Sequence, residues 1–121
     1  LCSLDKGMLD QVIYNLLNNA AIHTESSSRI DISVTCPVDI LNIVIEDTGK
    51  GFTGVDIKDV FNKFSRSKDL KASSSGLGLS IVKGFTEAMS GNAELKKTNS
   101  NGSRFVISIP VKTSFIKVAE L

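Results

Sequence analysis

Two asparagines, Asn15 and Asn19, lie four residues apart in a stretch that is apolar at helical intervals. The apolar positions are Leu9, Val12, Ile13, Leu16, Leu17 and Ala20. Their spacing predicts an amphipathic helix over about 6–24, with both carboxamides on the edge of its apolar stripe. Carboxamide oxygens suit a hard cation such as Mg²⁺. Taken alone, the pair is also explained by a polar helix edge that faces water.

A carboxylate ends an alternating strand at Asp47. Leu41, Ile43, Ile45 and Asp47 share one face of the predicted strand, because side chains two residues apart point the same way. A carboxylate on an apolar face needs a donor, and the exocyclic amine of adenine is suitable. Gly49 and Gly51 follow, and they let the backbone approach a flat base. Without other signals, Asp-Thr-Gly is equally an ordinary turn.

A glycine pair, Gly76 and Gly78 with Leu77 between them, precedes a second amphipathic stretch. Its apolar positions are Ile81, Val82, Phe85, Ala88 and Met89. The pair is therefore expected at the first turn of a helix over about 77–90. Backbone N–H groups and the helix dipole make that position suitable for phosphate, although a short Gly-x-Gly is weak by itself.

A basic, serine-rich segment connects the second and third motifs. Phe61 and Phe64 anchor it, and its cations are Lys63, Arg66, Lys68 and Lys71. The composition predicts a mobile loop that acts as a lid over phosphates, and a solvated linker is the alternative. The three motifs and the lid, in this order within one small chain, indicate an ATP site.

In this arrangement the chain resembles the catalytic ATP-binding domain of sensor histidine kinases, in the GHKL ATPase superfamily. The similarity covers about Leu4 to Val111. The matching segments are Asn15–Ala20 with the N box, Asp47–Gly51 with the G1 box, Val60–Phe64 with the F box, Gly76–Leu79 with the G2 box, and 91–95 with 102–110 as the closing hairpin.

The resemblance implies a role for each matching residue. It implies Asn19 as the main Mg²⁺ ligand, with Asn15 assisting it or positioning the reaction. Asp47 would read adenine, and Gly49 and Gly51 would line the base. The remaining nucleotide-binding residues would be Lys63 and Arg66 of the lid, with Arg66 near the terminal phosphate, and Gly76, Leu77 and Gly78 around the phosphates.

Three positions depart from the family's pattern. Ile22 replaces a basic residue that usually reaches the phosphates, and Ser74 stands where a further glycine is usual. Ser90 precedes Gly91 where two glycines are common. The first removes a cation from the phosphate site and the second stiffens the loop.

The 121 residues are expected to form one domain, an α/β two-layer sandwich. The expected elements are helices at 6–24, 55–62 and 77–90, and strands at 29–36, 40–47, 93–98 and 104–110, with Pro37 and Asp39 marking a turn. The resemblance makes this a Bergerat fold, a mixed sheet with helices on one face and ATP between the layers. Residues 112–121 would form an extra strand or a partner contact.

Composition excludes several classes of function. With 14 basic and 13 acidic residues, the chain lacks the basic surface of a nucleic-acid binder. Cys2 and Cys36 fit neither a metal site nor a disulfide framework, which favours a reducing compartment. The sequence shows no membrane-spanning run and no signal peptide. We therefore expect a cytoplasmic domain without direct membrane contact, although the full-length protein could be anchored in the inner membrane.

The resemblance implies a phosphoryl donor that transfers the γ-phosphate of ATP to a histidine on a separate dimerisation domain, with a response regulator downstream. The chain's one histidine, His23, is expected at the edge of the core rather than as a phosphorylated residue. The isolated chain is therefore not expected to complete autophosphorylation. The alternatives are a serine kinase of the anti-sigma-factor type and a degenerate nucleotide-binding scaffold.

Overall fold

The computed structural model describes residues 2–51, 59–62, 77–99 and 101–114, apart from the side chains of Cys2, His23 and Lys97. The elements are β1 (Cys2–Ser3), α1 (Lys6–His23), β2 (Ile30–Thr35), β3 (Ile40–Asp47), α2 (Gly78–Ala88), β4 (Asn92–Asn99), β5 (Gly102–Pro110) and β6 (Lys112–Thr113). The long helices and strands predicted for these ranges are confirmed, and their ends shift by about two residues or fewer, as is usual for helix ends.

The main sheet has the strand order β2-β3-β5-β4, and the predicted two-layer α/β sandwich is confirmed. Each of its described strand pairs is antiparallel, so the mixed character expected of the sheet is not seen in this part of the chain. One face is covered by α1 and α2. The buried apolar residues between the layers include Val12, Leu16, Leu41, Ile43, Ile45, Val82, Phe105, Ile107 and Ile109.

Helix α1 begins where Asp5 caps it. The backbone N–H of Met8 donates to Asp5 Oδ1 at 2.9 Å, which satisfies one of the donors that a helix start leaves open. The buried stripe that follows is Val12, Leu16 and Ala20. Because these residues recur every four positions, one side of α1 packs on the sheet and its flank packs along α2.

Helix α2 ends in a Schellman motif. The N–H of Gly91 donates to the carbonyl of Thr86 and the N–H of Ser90 to that of Glu87, both at 2.9 Å. Ser90 takes the left-handed conformation that this motif requires, with φ 63°. The glycine usual at this position in the family would adopt that conformation more easily. The hydroxyl of Thr86 is fully buried and has no hydrogen-bond partner among the described residues.

The turn predicted between the first two long strands is confirmed at Pro37–Asp39. Val38 and Asp39 both have positive φ, 49° and 59°, and the N–H of Ile40 donates to the carbonyl of Pro37. This geometry is a type I′ hairpin turn, which favours Asn-Gly. A β-branched residue is strained there, and the Val38 side chain is 93% exposed.

Two further predictions are only partly described. Of the short helix expected at 55–62, residues 59–62 form a turn in which the N–H of Asn62 donates to the carbonyl of Asp59. Lys112–Thr113 forms a short strand paired with Cys2–Ser3, at the beginning of the tail for which an extra strand or a partner contact was expected. Residues 115–121 lie outside the described residues.

Candidate nucleotide-binding site

Asp47 lies at the end of β3 on the face that packs against the helices, as the alternation predicted. Its side chain is only 6% exposed. The backbone N–H of Gly49 donates to Asp47 Oδ1 at 2.9 Å, and this contact partly offsets the cost of burying a carboxylate. The contact also fixes the carboxylate's orientation.

The turn after Asp47 is joined to the start of β2. The N–H of Thr48 donates to the carbonyl of Arg29 at 3.0 Å, and the N–H of Arg29 donates to Thr48 Oγ1 at 2.8 Å. These contacts continue the β2–β3 ladder by one residue pair. They hold the turn to the sheet, and sequence reasoning missed them because they depend on strand register.

The β4–β5 hairpin supports the same turn from the other side. A Cβ at Gly51, where φ is 74°, would lie 2.8 Å from Thr98 Oγ1 and overlap the Asn99 carbonyl oxygen. A Cβ at Gly102, where φ is 124°, would overlap the carbonyl oxygen of Asp47. Both positions therefore require glycine. The close neighbour of Gly51 here is the hairpin, and its expected place beside the base stays a prediction. Gly102 was not predicted.

Asn15 and Gly78 come together where α1 passes the beginning of α2. A Cβ at Gly78 would lie 3.1 Å from Asn15 Oδ1, so a larger residue would crowd the carboxamide. The Nδ2 of Asn15 donates to the carbonyl of Gln11 at 2.7 Å. This bond directs the amide nitrogen back along α1 and leaves Oδ1 on the side of Gly78.

Asn19 lies one turn beyond Asn15 on α1, and both side chains are half-buried, as predicted for the edge of the stripe. Helix α2 begins at Gly78, and Leu77 at the N-cap provides no side-chain cap. Ser80 Oγ donates to the Leu77 carbonyl at 2.7 Å. The N–H groups of the first turn are thus not capped by the side chain that precedes them, as a phosphate-binding helix start requires.

Several predicted site residues lie outside the described residues, namely Lys63, Arg66 and Gly76 with the rest of the lid. The anchor of the lid is partly described. Val60 and Phe61 are buried, and the Phe61 ring packs edge-on against Phe105 with centroids 5.8 Å apart. The packing expected of Phe61 is therefore confirmed, and the second predicted anchor, Phe64, lies outside the described residues.

A cleft of about 320 Å³ lies beside the Asp47 turn. Its lining residues are Glu25, Ser27, Ser28, Thr48, Gly49 and Lys50. The loop after α1 forms one wall and is closed by a bond from the N–H of Ser28 to the carbonyl of Glu25. The cleft is polar, and it extends the surface around Gly49 toward this loop.

Ion pairs shift two pKa values among the described residues, and both belong to exposed groups. A hydrogen bond to Asp10 raises the pKa of Lys6. A hydrogen bond from Lys96, and then one from Asn92, lowers the pKa of Glu94. Because neither group belongs to the predicted site, these shifts reflect surface ion pairs, which contribute little to stability.

The family model of histidine kinase-, DNA gyrase B- and HSP90-like ATPases matches residues 4–113. Among curated proteins, the probable sensor kinase SilS of Salmonella typhimurium is 32% identical over 109 residues, which are 88% of this chain and 22% of SilS. The autoinducer 2 sensor kinase/phosphatase LuxQ of Vibrio vulnificus is also 32% identical, over 89% of this chain and 14% of LuxQ. The chain thus spans about a fifth or less of the length of these relatives.

Solved structures show the same fold. The mycobacterial sensor histidine kinase MprB has a TM-score of 0.79 and 26% identity, over 92% of this chain and 77% of the other. Full-length ShkA in complex with AMPPNP has a TM-score of 0.78 and 25% identity, over 93% of this chain and 23% of ShkA. No helix in the described part of this chain is both long and apolar enough to span a membrane.

The match covers most of the chain, and it includes the segments that carry Asn15, Asp47 and Gly78. The chain belongs to the family of histidine kinase-, DNA gyrase B- and HSP90-like ATPases, and it is an ATP-binding domain of the sensor histidine kinase type.

Proposed function

We propose that this domain binds ATP together with Mg²⁺ and donates the γ-phosphate to a histidine on a separate dimerisation domain of the same protein. A response regulator would then receive the phosphate, and the reaction would take place in the cytoplasm. The observation that carries the proposal is the position of Asn15 Oδ1 beside Gly78, 3.1 Å from where a Cβ of residue 78 would lie. A carboxamide oxygen thus lies at the start of a helix whose N-cap residue, Leu77, provides no side-chain cap, which is a suitable place for phosphate and its cation.

The phosphate end of the site would be formed by α1 and α2. Asn15 and Asn19 would hold Mg²⁺ through carboxamide oxygens, which fit a hard cation that keeps several waters. The bond from Asn15 Nδ2 to the Gln11 carbonyl supports this assignment, because it presents Oδ1 rather than Nδ2 toward Gly78. Bound Mg²⁺ would supply neutralisation of phosphate charge during transfer.

The adenine end would be formed by Asp47 and the turn that follows it. A carboxylate accepts a hydrogen bond from the exocyclic amine of adenine, and Gly49 holds Asp47 in one orientation. The low exposure of Asp47 supports this role, since a hydrogen bond is stronger where water is excluded. Gly49 and Gly51 would line the base.

The lid residues Lys63 and Arg66 and the G2 glycine Gly76 complete the proposal. Their cations and backbone N–H groups would contact the terminal phosphates, with Arg66 nearest the transferred one. These roles depend on the resemblance to the family, because the three residues lie outside the described residues.

Calorimetric titration of ATP with Mg²⁺ and with EDTA tests the binding step. Asn19→Ala should weaken binding in Mg²⁺ about tenfold or more and have a smaller effect in EDTA, because a metal ligand is lost. Asn18→Ala is the matched control, since Asn18 is the neighbouring asparagine and is exposed. An equal loss of ATP affinity with Mg²⁺ and with EDTA would show that Asn19 does not bind the metal.

Phosphotransfer is tested on a protein extended to include its dimerisation domain, with ATP labelled in the γ-phosphate. Label that is stable in base and lost in acid indicates phosphohistidine. Label that is stable in acid indicates phosphoserine and would instead favour a serine kinase. Binding of ATP without any transfer would point to a scaffold role.

A further inference from the structure

The two edges of the main sheet differ in how they are protected. The β4 edge carries Lys96 and Lys97, and its pairing with β5 shifts register between Leu95 and Lys97. Charged residues and bulges of this kind discourage pairing with another strand. The β2 edge, Ile30–Thr35, contains no lysine and no proline. It pairs with β3 without a register shift, and no described strand pairs with its other side.

The residue pair Arg29 and Thr48 shows which backbone N–H and C=O groups of β2 face β3 and which face the open edge. The N–H of Thr48 donates to the carbonyl of Arg29, so this is a hydrogen-bonded pair of the antiparallel ladder. Such pairs alternate with non-bonded ones. The backbone groups of Asp31 and Ser33 therefore point toward β3, and those of Ile30, Ile32 and Val34 point to the open edge.

The same three residues carry the apolar side chains of β2. Ile30, Ile32 and Val34 are 36%, 50% and 57% exposed. They lie opposite Asp47, Ile45 and Ile43 in register, so they extend the core-facing side of the sheet beyond the cover of the helices. An exposed apolar row and an open backbone edge thus coincide on one strand.

We propose that this edge pairs with β2 of a second copy of the chain, antiparallel and centred on Ile32. In that register Ile30 meets Val34 of the second copy, and Ile32 meets its own equivalent. All three residues use their outward backbone groups, which gives about six hydrogen bonds. On the opposite face Asp31 meets Ser33 of the second copy, so no like charges are opposed.

Other two-fold registers are less favourable. Centring on Asp31 would place the two Asp31 carboxylates against each other. Centring on Ser33 would pair Ile32 with Val34 and place Ile30 opposite Cys36, which lies beyond the end of the strand. The Ile32-centred register is therefore preferred. Each copy contributes one strand of six residues, fewer than the roughly 20–30 residues a side of a standard interface, so we expect a weak dimer, with a Kd on the order of 100 μM.

Sedimentation equilibrium of the 121-residue chain over a range of concentrations tests the dimer. The average mass of the wild-type chain should rise from 13.0 kDa toward twice that value. Ile32→Lys and Ile32→Glu should each raise the Kd about tenfold or more, because each opposes like charges at the two-fold centre. An equal mixture of the two variants should recover association, which also shows that both are folded.

Val38→Lys is the matched control, because it adds the same charge in place of an exposed apolar residue outside β2. It should associate like the wild type. Amide exchange at Ile30, Ile32 and Val34 should slow as concentration rises. A chain that stays at 13.0 kDa at the highest concentration would overturn the proposal. Association unaffected by Ile32→Lys, or weakened equally by Val38→Lys, would also overturn it.

Discussion

Replacing Asp47 with asparagine tests whether this carboxylate reads adenine. The side chains have the same shape, and the carboxamide oxygen of asparagine can still accept from the Gly49 N–H that now donates to Asp47 at 2.9 Å. We therefore expect the variant to fold. The new amide group would then present a donor toward the exocyclic amine of adenine, which is itself a donor.

The size of the effect follows from the type of bond that is lost. Asp47 is only 6% exposed, so water cannot easily replace the missing acceptor. Loss of a charge-assisted hydrogen bond costs about 1.5–3 kcal/mol, which corresponds to roughly 10- to 150-fold weaker binding of ATP. The variant also places an amide donor against the amine donor of adenine, which adds to this loss. We therefore expect the weakening of ATP binding to lie in the upper part of the range.

Calorimetry with ATP and with inosine triphosphate gives the sharpest measurement. Inosine carries an oxygen where adenine carries its amine, and this oxygen can accept from the new amide. Asp47→Asn should therefore weaken ATP binding and reduce or reverse the preference for ATP over inosine triphosphate. Asp10→Asn is the control, since it removes an exposed carboxylate on α1. Unchanged ATP affinity in a folded Asp47→Asn variant would refute the role of Asp47. An unchanged preference between the two nucleotides would do the same.

Three further substitutions test features of the fold by urea denaturation. Ser90→Gly should raise the free energy of unfolding by about 1 kcal/mol, because Ser90 has φ 63° and glycine takes this left-handed conformation without a Cβ penalty. Ser90→Ala keeps the Cβ and should not raise the stability. Thr86→Val should raise it by about 1 kcal/mol, because its buried hydroxyl has no partner in the part of the chain that the structure describes. A loss of stability would mean that the hydroxyl is hydrogen-bonded. Gly102→Ala should lower it by about 2 kcal/mol or more and weaken ATP binding, because a Cβ would overlap the Asp47 carbonyl. Full stability of this variant would contradict that contact.

The sequence predicted those elements whose residues repeat with a clear period. Helix α1 and strand β3 follow their apolar patterns closely, and the burial of Asp47 could be predicted because a period of two assigns it to the core face. These features are local, so a single stretch of chain contains the information that specifies them.

Features that depend on distant pairing could not be predicted in this way. Gly102 must be glycine because the start of β5 lies against the end of β3. The register between these two strands cannot be deduced from the residues around Gly102 alone. The alternation of Ile30, Ile32 and Val34 indicates a half-buried strand, but only the strand order places it at an open edge. Val38 could not be predicted in its observed conformation, because β-branched residues disfavour the left-handed region that this hairpin turn requires.

The contact between Gly102 and Asp47 also has a consequence for biosynthesis. The carboxylate and its turn emerge from the ribosome well before β5, yet β3 is flanked by β2 on one side and by β5 on the other. Until β5 has been made, the ladder beside Asp47 is incomplete, and pairing of strands so far apart in sequence is slow. A nascent chain that ends before Gly102 should therefore not bind ATP. The ability to bind nucleotide would appear late in translation, when the C-terminal hairpin joins the sheet.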